Sequence, residues 1–194
     1  NAQIGGYALN FDGDDDQAAR IDGPISGLTN ITLEAWIYID PAASDEMYLI
    51  QQREQGEAPA GINGQYVFQI NSDLSLDFFD YNGSSFGFAQ QLKSGLILSK
   101  GVWTHIAVSV NNSTGNAVYY INGKNQRTES RSGSQVSYNS NLDFFIGRDG
   151  RDFRFPFKGK IDEVRIWNSA RTESEIKSNM YKELTGDEFG LAAY

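Results

Sequence analysis

The chain has 194 residues and no cysteine, which excludes disulfide staples and thiolate metal sites. Its single histidine excludes a His-x-x-x-His zinc site. Cationic residues are scarce: 16 Lys and Arg stand against 25 Asp and Glu, a formal charge of −9. A phosphate backbone would bring like charges together, so no nucleic-acid partner is expected. No apolar run approaches ~20 residues, so no membrane insertion is expected. No signal-peptide pattern is visible and the first residue is Asn1, which suggests a mature or excised piece.

What is present points to β structure. Aromatics make up 13% of the chain and glycine 20 residues, with Val, Ile, Tyr and Phe for pleated surfaces and Gly for tight turns. The length suggests one domain over 1–194, and a chain of this size buries roughly 70% of its unfolded surface. Ile31, Leu33, Ala35, Ile37 and Ile39 alternate with Thr32, Glu34, Trp36, Tyr38 and Asp40. That period of two predicts a long strand ended by Pro41. Met47–Arg53 reads as a strand and 55–64 as a loop. A hairpin follows, with Tyr66, Phe68 and Ile70 on one face and Leu74, Leu76 and Phe78 across a turn at 71–73. Asn82-Gly83 is a further turn signal, and 86–98 holds one weaker strand. Val102–Val110 is a strand returning through Ala117–Ile121, and Asn122-Gly123 fits a type I′ turn. Leu142–Gly147 and Lys160–Trp167 complete the strands before a helix.

That helix is predicted near 172–184. Thr172 and Glu175 form a capping-box pair, Ile176, Met180 and Leu184 form one stripe, and Gly186 suits the C-terminal cap. The tail 189–194 reads as a last strand. The spacing of strands and turns predicts an all-β, two-sheet antiparallel sandwich.

Five stretches taken in order carry a resemblance: ALNFDG (8–13), ITLEAWI (31–37), W-T-H-I-A-V to Y-Y-I-N-G (103–123), FKGKIDEVRIWN (157–168) and ARTESEIKSNM (170–180). Together they resemble the LamG-like, concanavalin A-like lectin/glucanase jelly rolls over nearly the whole chain. The resemblance implies a jelly roll with one concave sheet and rim loops, in a secreted or cell-surface protein. It implies a carbohydrate-binding, lectin-like module, monomeric within a larger multidomain chain, with a polysaccharide or glycan as partner. The alternative is adhesion or protein interaction, with a cell-surface protein as partner.

Catalysis finds little support. Retaining glycosidases need two carboxyls ~5 Å apart, and jelly-roll members carry them on one strand as Glu-x-Asp-x-(x)-Glu. No such run occurs; Glu34 and Asp77 stand singly on their strands. The chain therefore reads as non-catalytic, with glycoside hydrolysis the least favoured reading. His105 reads as a partly buried strand residue.

Sugar rings stack on aromatics while amides, carboxylates and guanidinium groups take the hydroxyls. With the aliphatic face of 31–39 inward, Glu34, Trp36 and Tyr38 face out, as do Gln69, Asp77 and Phe79. The expected ligand-binding residues are Trp36, Arg53, Gln69, Asp77, Tyr81 and Arg148. Loop 147–158, rich in Arg and Phe, reads either as a site or as a packed strand. The acidic run Asp12–Asp16 fails as an EF-hand, since Gln17 and Gly23 occupy positions six and twelve. The resemblance instead implies a structural Ca²⁺ held by Asn10, Asp12, Gly13 and Asp162. In that reading strand 160–167 turns Asp162 to the face of Val164 and Ile166.

Overall fold

A computed structural model describes residues 7–20, 29–53, 66–81, 88–130, 142–150 and 154–194. Two antiparallel sheets form a sandwich. The seven-stranded sheet runs β1 (Leu9–Asp12), β12 (Lys158–Trp167), β3 (Asn30–Ile39), β8 (Trp103–Asn111), β9 (Asn116–Ile121), β10 (Lys124–Ser130), with β13 (Leu191–Ala193) also on β12. The six-stranded sheet runs β2 (Ala18–Arg20), β11 (Asp143–Ile146), β4 (Met47–Arg53), β5 (Tyr66–Ile70), β6 (Ser75–Tyr81), β7 (Phe88–Ile97). Between them lies one apolar core, to which β3 gives Ile31, Leu33, Ala35, Ile37 and Ile39, and β5 and β6 give Tyr66, Phe68, Ile70, Leu76 and Phe78. Each set is spaced by two, the strand period read from the sequence.

Three elements depart from the sequence expectation. Leu74 belongs to the β5–β6 turn, where it adopts φ 68° and its N–H donates to the Asn71 carbonyl; the strand starts at Ser75. β10 carries no alternation because it is an edge strand with exposed side chains, held to β9 by its backbone. The helix α1 spans Glu173–Asn179, five residues short of the expected end. Its capping box is formed as expected, Thr172 and Glu175 each accepting the other's backbone N–H. Its C-terminal end is set by side chains from the sheet: Trp36 donates to the Met180 carbonyl and Arg165 to those of Asn179 and Lys182. Ile176, Met180 and Leu184 are all buried, but Leu184 reaches its place after the chain has left the helix.

The Asn122-Gly123 turn has positive φ at both residues, 50° and 71°, as a type I′ turn requires. The turn at 82–83 and the loop 55–64 lie outside the described residues.

Candidate functional site

Part of the outer face of the seven-stranded sheet is covered. α1 and the segment after it lie over Thr32, Glu34, Trp36, His105 and Arg165, all at most 6% exposed. Glu34 is the centre. Trp167 Nε1 donates to its carboxylate at 2.8 Å, His105 Nε2 lies 3.4 Å away and Arg165 Nη1 3.7 Å. Burial pushes the Glu34 carboxyl up, but His105, Arg165 and Trp167 outweigh it and hold it below the usual carboxylate range. The fully buried Arg165 is paired again, to Glu163 at 2.6 Å. Trp36 packs edge-on to His105 and against Tyr181. The expectation that Trp36 stands on an open binding face is therefore corrected: its ring holds the C-terminal segment down.

The outer face of the six-stranded sheet carries the sugar-type chemistry. Register sets Tyr48 opposite Gln69, Gln69 opposite Asp77, and Val67 opposite Phe79. Gln69 Nε2 donates to Glu46 and to Asn71 Oδ1, each at 2.8 Å. Asn71 Nδ2 and Gln91 Nε2 donate to Asp77 Oδ2 at 2.8 and 2.9 Å. Gln69 and Asp77 are thus brought together as expected, in one amide–carboxylate chain running from Glu46 to Gln91. Both are buried, 2% and 1% exposed, so they sit beneath the surface as its support. Arg53 and Tyr81 stand at strand ends, opposite Asp143 and Phe88; their side chains lie outside the described residues.

The loop after β11 folds across this face. Gly147 starts it at φ 92°, and a Cβ there would meet the Phe11 ring at 2.1 Å, so only glycine fits. Gln51 Nε2 donates to the Arg148 carbonyl at 3.0 Å and Arg148 Nε to Gln17 at 3.3 Å. The expected site residue Arg148 thus braces the loop. Phe155 is half-buried and stacks on Tyr48 with centroids 4.8 Å apart, in a small apolar cluster with Val67 and Phe79. It sits at φ 56°, a left-handed conformation costly to any side chain. The Tyr48 N–H donates to the Phe155 carbonyl at 2.9 Å, and Arg154 lies over the Phe155 ring. The loop is thus neither a simple strand nor free.

Beside Phe155 opens a rim cleft of about 260 Å³ lined by Gly13, residues 42–47, Phe155, Pro156 and Lys158. Glu46 links it to the Gln69–Asp77 chain. Phe155 and Lys158 belong to the 147–158 loop that the Arg/Phe alternation marks in the sequence; Asp45 and Glu46 carry no such signal.

Of the expected calcium ligands, Asp12 and Asp162 stand apart. Asp12 pairs with Lys158 and Asn10 with Lys160, whereas Asp162 lies four residues beyond Lys158 on β12, roughly 13 Å at ~3.3 Å per residue. A bulge between Asp162 and Arg165, with Glu163 at φ 51°, puts Asp162 opposite Trp36 rather than toward the core, where Ile161 and Ile166 point. The alternation expected for 160–167 fails there because the extra residue reverses the pleat. Partial burial, and then the Glu163 charge, push the Asp162 carboxyl up against the pull of the Glu163 N–H. Asp12 instead meets Asp15 and Asp16, with ligand oxygens all within 4.8 Å of one another. Asp16 accepts the Asp12 N–H and Asp12 the Asp14 N–H, both at 2.8 Å. These hard oxygens suit Ca²⁺.

A family model described as the concanavalin A-like lectin/glucanases superfamily matches residues 12–177. No curated protein matches the sequence. Among solved structures, a Bacteroides ovatus protein provisionally described as carbohydrate-binding superposes with TM-score 0.72 at 25% identity, over 95% of this chain and 49% of that one. The chain thus spans about half of that relative. The CBM40 of a Ruminococcus gnavus sialidase, bound to α2,3-sialyllactose, gives 0.66 at 11% identity, covering 89% of this chain and 97% of that one. Domain 4 of a Geobacillus stearothermophilus arabinanase, in complex with arabinotriose, gives 0.59 at 21%, covering 90% and 81%.

Proposed function

The chain belongs to the concanavalin A-like lectin/glucanase superfamily, and from that we propose that it is a non-catalytic carbohydrate-binding module of a longer secreted or cell-surface protein, holding its glycan in the rim cleft beside Phe155. One observation carries this: Phe155 is held in a strained conformation with its ring on Tyr48, and lines a cleft that also holds Asp45, Glu46 and Lys158. Strained residues concentrate at functional sites, and an apolar aromatic wall beside carboxylates and an ammonium suits a sugar with both C–H surface and hydroxyls. The carbohydrate-binding neighbours support the reading. A non-catalytic role is supported by the carboxylates of this face: Glu46 and Asp77 accept amide hydrogen bonds, and Asp77 is buried. We further propose that Asp12, Asp15 and Asp16 hold a structural Ca²⁺, fixing the loop that carries Gly13 into the cleft wall. A bound Ca²⁺ supplies a fixed charge to which these carboxylates orient.

The test is a glycan array followed by calorimetric titration of any ligand found. Phe155→Ala should weaken binding about tenfold or more, as aromatic anchors do, while Trp36→Phe should leave affinity unchanged. Undiminished affinity in Phe155→Ala, or release of reducing ends by the wild-type protein, would overturn the reading.

A further inference from the structure

We propose that the open edge of the sandwich binds a small amphiphilic amine, its alkyl or aryl group lying between the two sheets and its ammonium on Asp162 or Glu183. The site shares no lining residue with the glycan cleft and does not depend on it.

The apolar half is a slot of about 170 Å³. Ala18, Phe144 and Ile146 line it from β2 and β11; Val164, Ile166 and Ala193 line it from β12 and β13. Ala18 lies opposite Ile146 in one sheet and Ala193 opposite Ile166 in the other, so each sheet presents a side chain too short to fill the gap. Apolar cavities of about 150 Å³ take up benzene, and the slot has room for a phenyl or short alkyl group.

Ile146, Val164 and Tyr194 line both this slot and a wider cleft of about 480 Å³, so the two adjoin. The cleft lies where the sheet edge is interrupted. β1 pairs with β12 up to Ile161 and β13 from Ile166, and the bulge at Glu163 falls between them. The charged lining of the cleft is Asp162, Glu163 and Glu183, with no lysine or arginine. Glu163 is already paired: Arg165 meets it at 2.6 Å and the Tyr194 hydroxyl donates to it at 3.0 Å. Asp162 accepts the Glu163 N–H at 2.9 Å. Among the described residues neither Asp162 nor Glu183 has a cationic partner. Lys160 and Lys182 are exposed and outside the lining, so a contact ion pair inside the cleft remains open to a ligand. Partial burial and the Glu163 charge push the Asp162 carboxyl up, and a bound cation would relieve both. An alkylamine is charged at neutral pH, as lysine is, and donates charge-assisted hydrogen bonds to a carboxylate. Its apolar group leaves water for the slot in the same step.

The experiment titrates methyl-labelled protein with phenethylamine, 2-phenylethanol and 3-phenylpropionate, read by NMR. The three share a ring and differ in the polar end. Each shift should fall on the methyls of Ile146, Val164, Ile166 and Ala193. The amine should bind severalfold tighter than the alcohol, and the carboxylate weakest. Asp162→Asn combined with Glu183→Gln should close most of the gap between amine and alcohol and leave the alcohol unchanged. Ala193→Leu fills the slot and should abolish binding of all three while the protein still melts cooperatively; if that variant does not fold, the wild-type methyl shifts decide the location. An amine no tighter than the alcohol, a preference that survives the double variant, or shifts confined to other methyls overturns the inference and leaves the glycan reading untouched.

Discussion

Trp167 and Glu34, on the adjacent strands β12 and β3, are joined by one hydrogen bond: the indole N–H donates to the carboxylate at 2.8 Å, with both side chains fully buried. A lone buried carboxylate is expensive, and removing one member of a buried ionic group strands the others. Glu34→Ala would leave the Trp167 N–H, His105 and Arg165 facing an empty site. The expected cost is about 3–5 kcal/mol by urea unfolding, whereas Glu34→Gln keeps an acceptor for Trp167 and should cost less. An alanine variant within about 1 kcal/mol of wild type would show that the network contributes little.

The same residue gives the fold an acid dependence. The folded Glu34 carboxyl titrates below its ordinary value, so as pH falls the unfolded chain takes the proton first. The stabilisation from Glu34 is therefore complete above the ordinary carboxylate range and is lost as pH drops through the folded value. Unfolding free energy in wild type should fall more steeply below about pH 4.5 than in Glu34→Gln. Identical acid limbs in the two proteins would contradict this.

Much of this architecture is legible in the sequence because period-two alternation survives wherever one face meets the core. β3, β5, β6 and β8 follow that rule, and the capping box announces α1. Three things escape it. β10 is an edge strand wet on both faces, so nothing in its side chains marks it. The bulge at Glu163 adds one residue and reverses the pleat, which sends Asp162 to the face opposite the one alternation predicts. Trp36 was assigned to an open face because a strand reports two sides but not what covers each; the cover is a helix some 140 positions away. The outward placement of Gln69 and Asp77 is legible because they alternate with core residues. The loop of Phe155 and Lys158 is marked by its Arg/Phe composition, but a loop residue's place follows from tertiary contacts such as the Tyr48 stack.

Phe155 offers a test that separates strain from stacking. Its φ of 56° penalises any side chain by about 1–2 kcal/mol, and glycine carries no such penalty. Phe155→Ala loses the ring and keeps the strain; Phe155→Gly loses the ring and relieves it. The glycine variant should therefore be the more stable of the two, by up to about 1 kcal/mol after its greater unfolded-chain entropy is counted, with both equally weak toward glycan. An alanine variant more stable than the glycine one would show that the backbone there relaxes once the ring is gone.

Calcium gives the last test, and it turns on which aspartates matter. The carboxylates of Asp12, Asp15 and Asp16 lie within 4.8 Å of one another, while Asp162 sits four positions along β12 from the partner of Asp12. A Ca²⁺ that binds the folded protein stabilises it by mass action, about 2.7 kcal/mol at a hundredfold excess over Kd. Melting temperature should rise with Ca²⁺ and fall back in chelator, and Asp15→Asn or Asp16→Asn should abolish the difference. Asp162→Asn should retain it. That substitution keeps an acceptor for the Glu163 N–H and removes a charge whose folded carboxyl is pushed up, so the folded state holds its proton more tightly than the unfolded chain. A raised carboxyl opposes folding at neutral pH, and its effect fades as pH falls through the folded value. Asp162→Asn should therefore be neutral or slightly stabilising at pH 7, by a few tenths of a kcal/mol after solvent screening. A calcium response lost in Asp162→Asn and kept in Asp15→Asn would move the metal to β12, and no calcium response in wild type would remove it altogether.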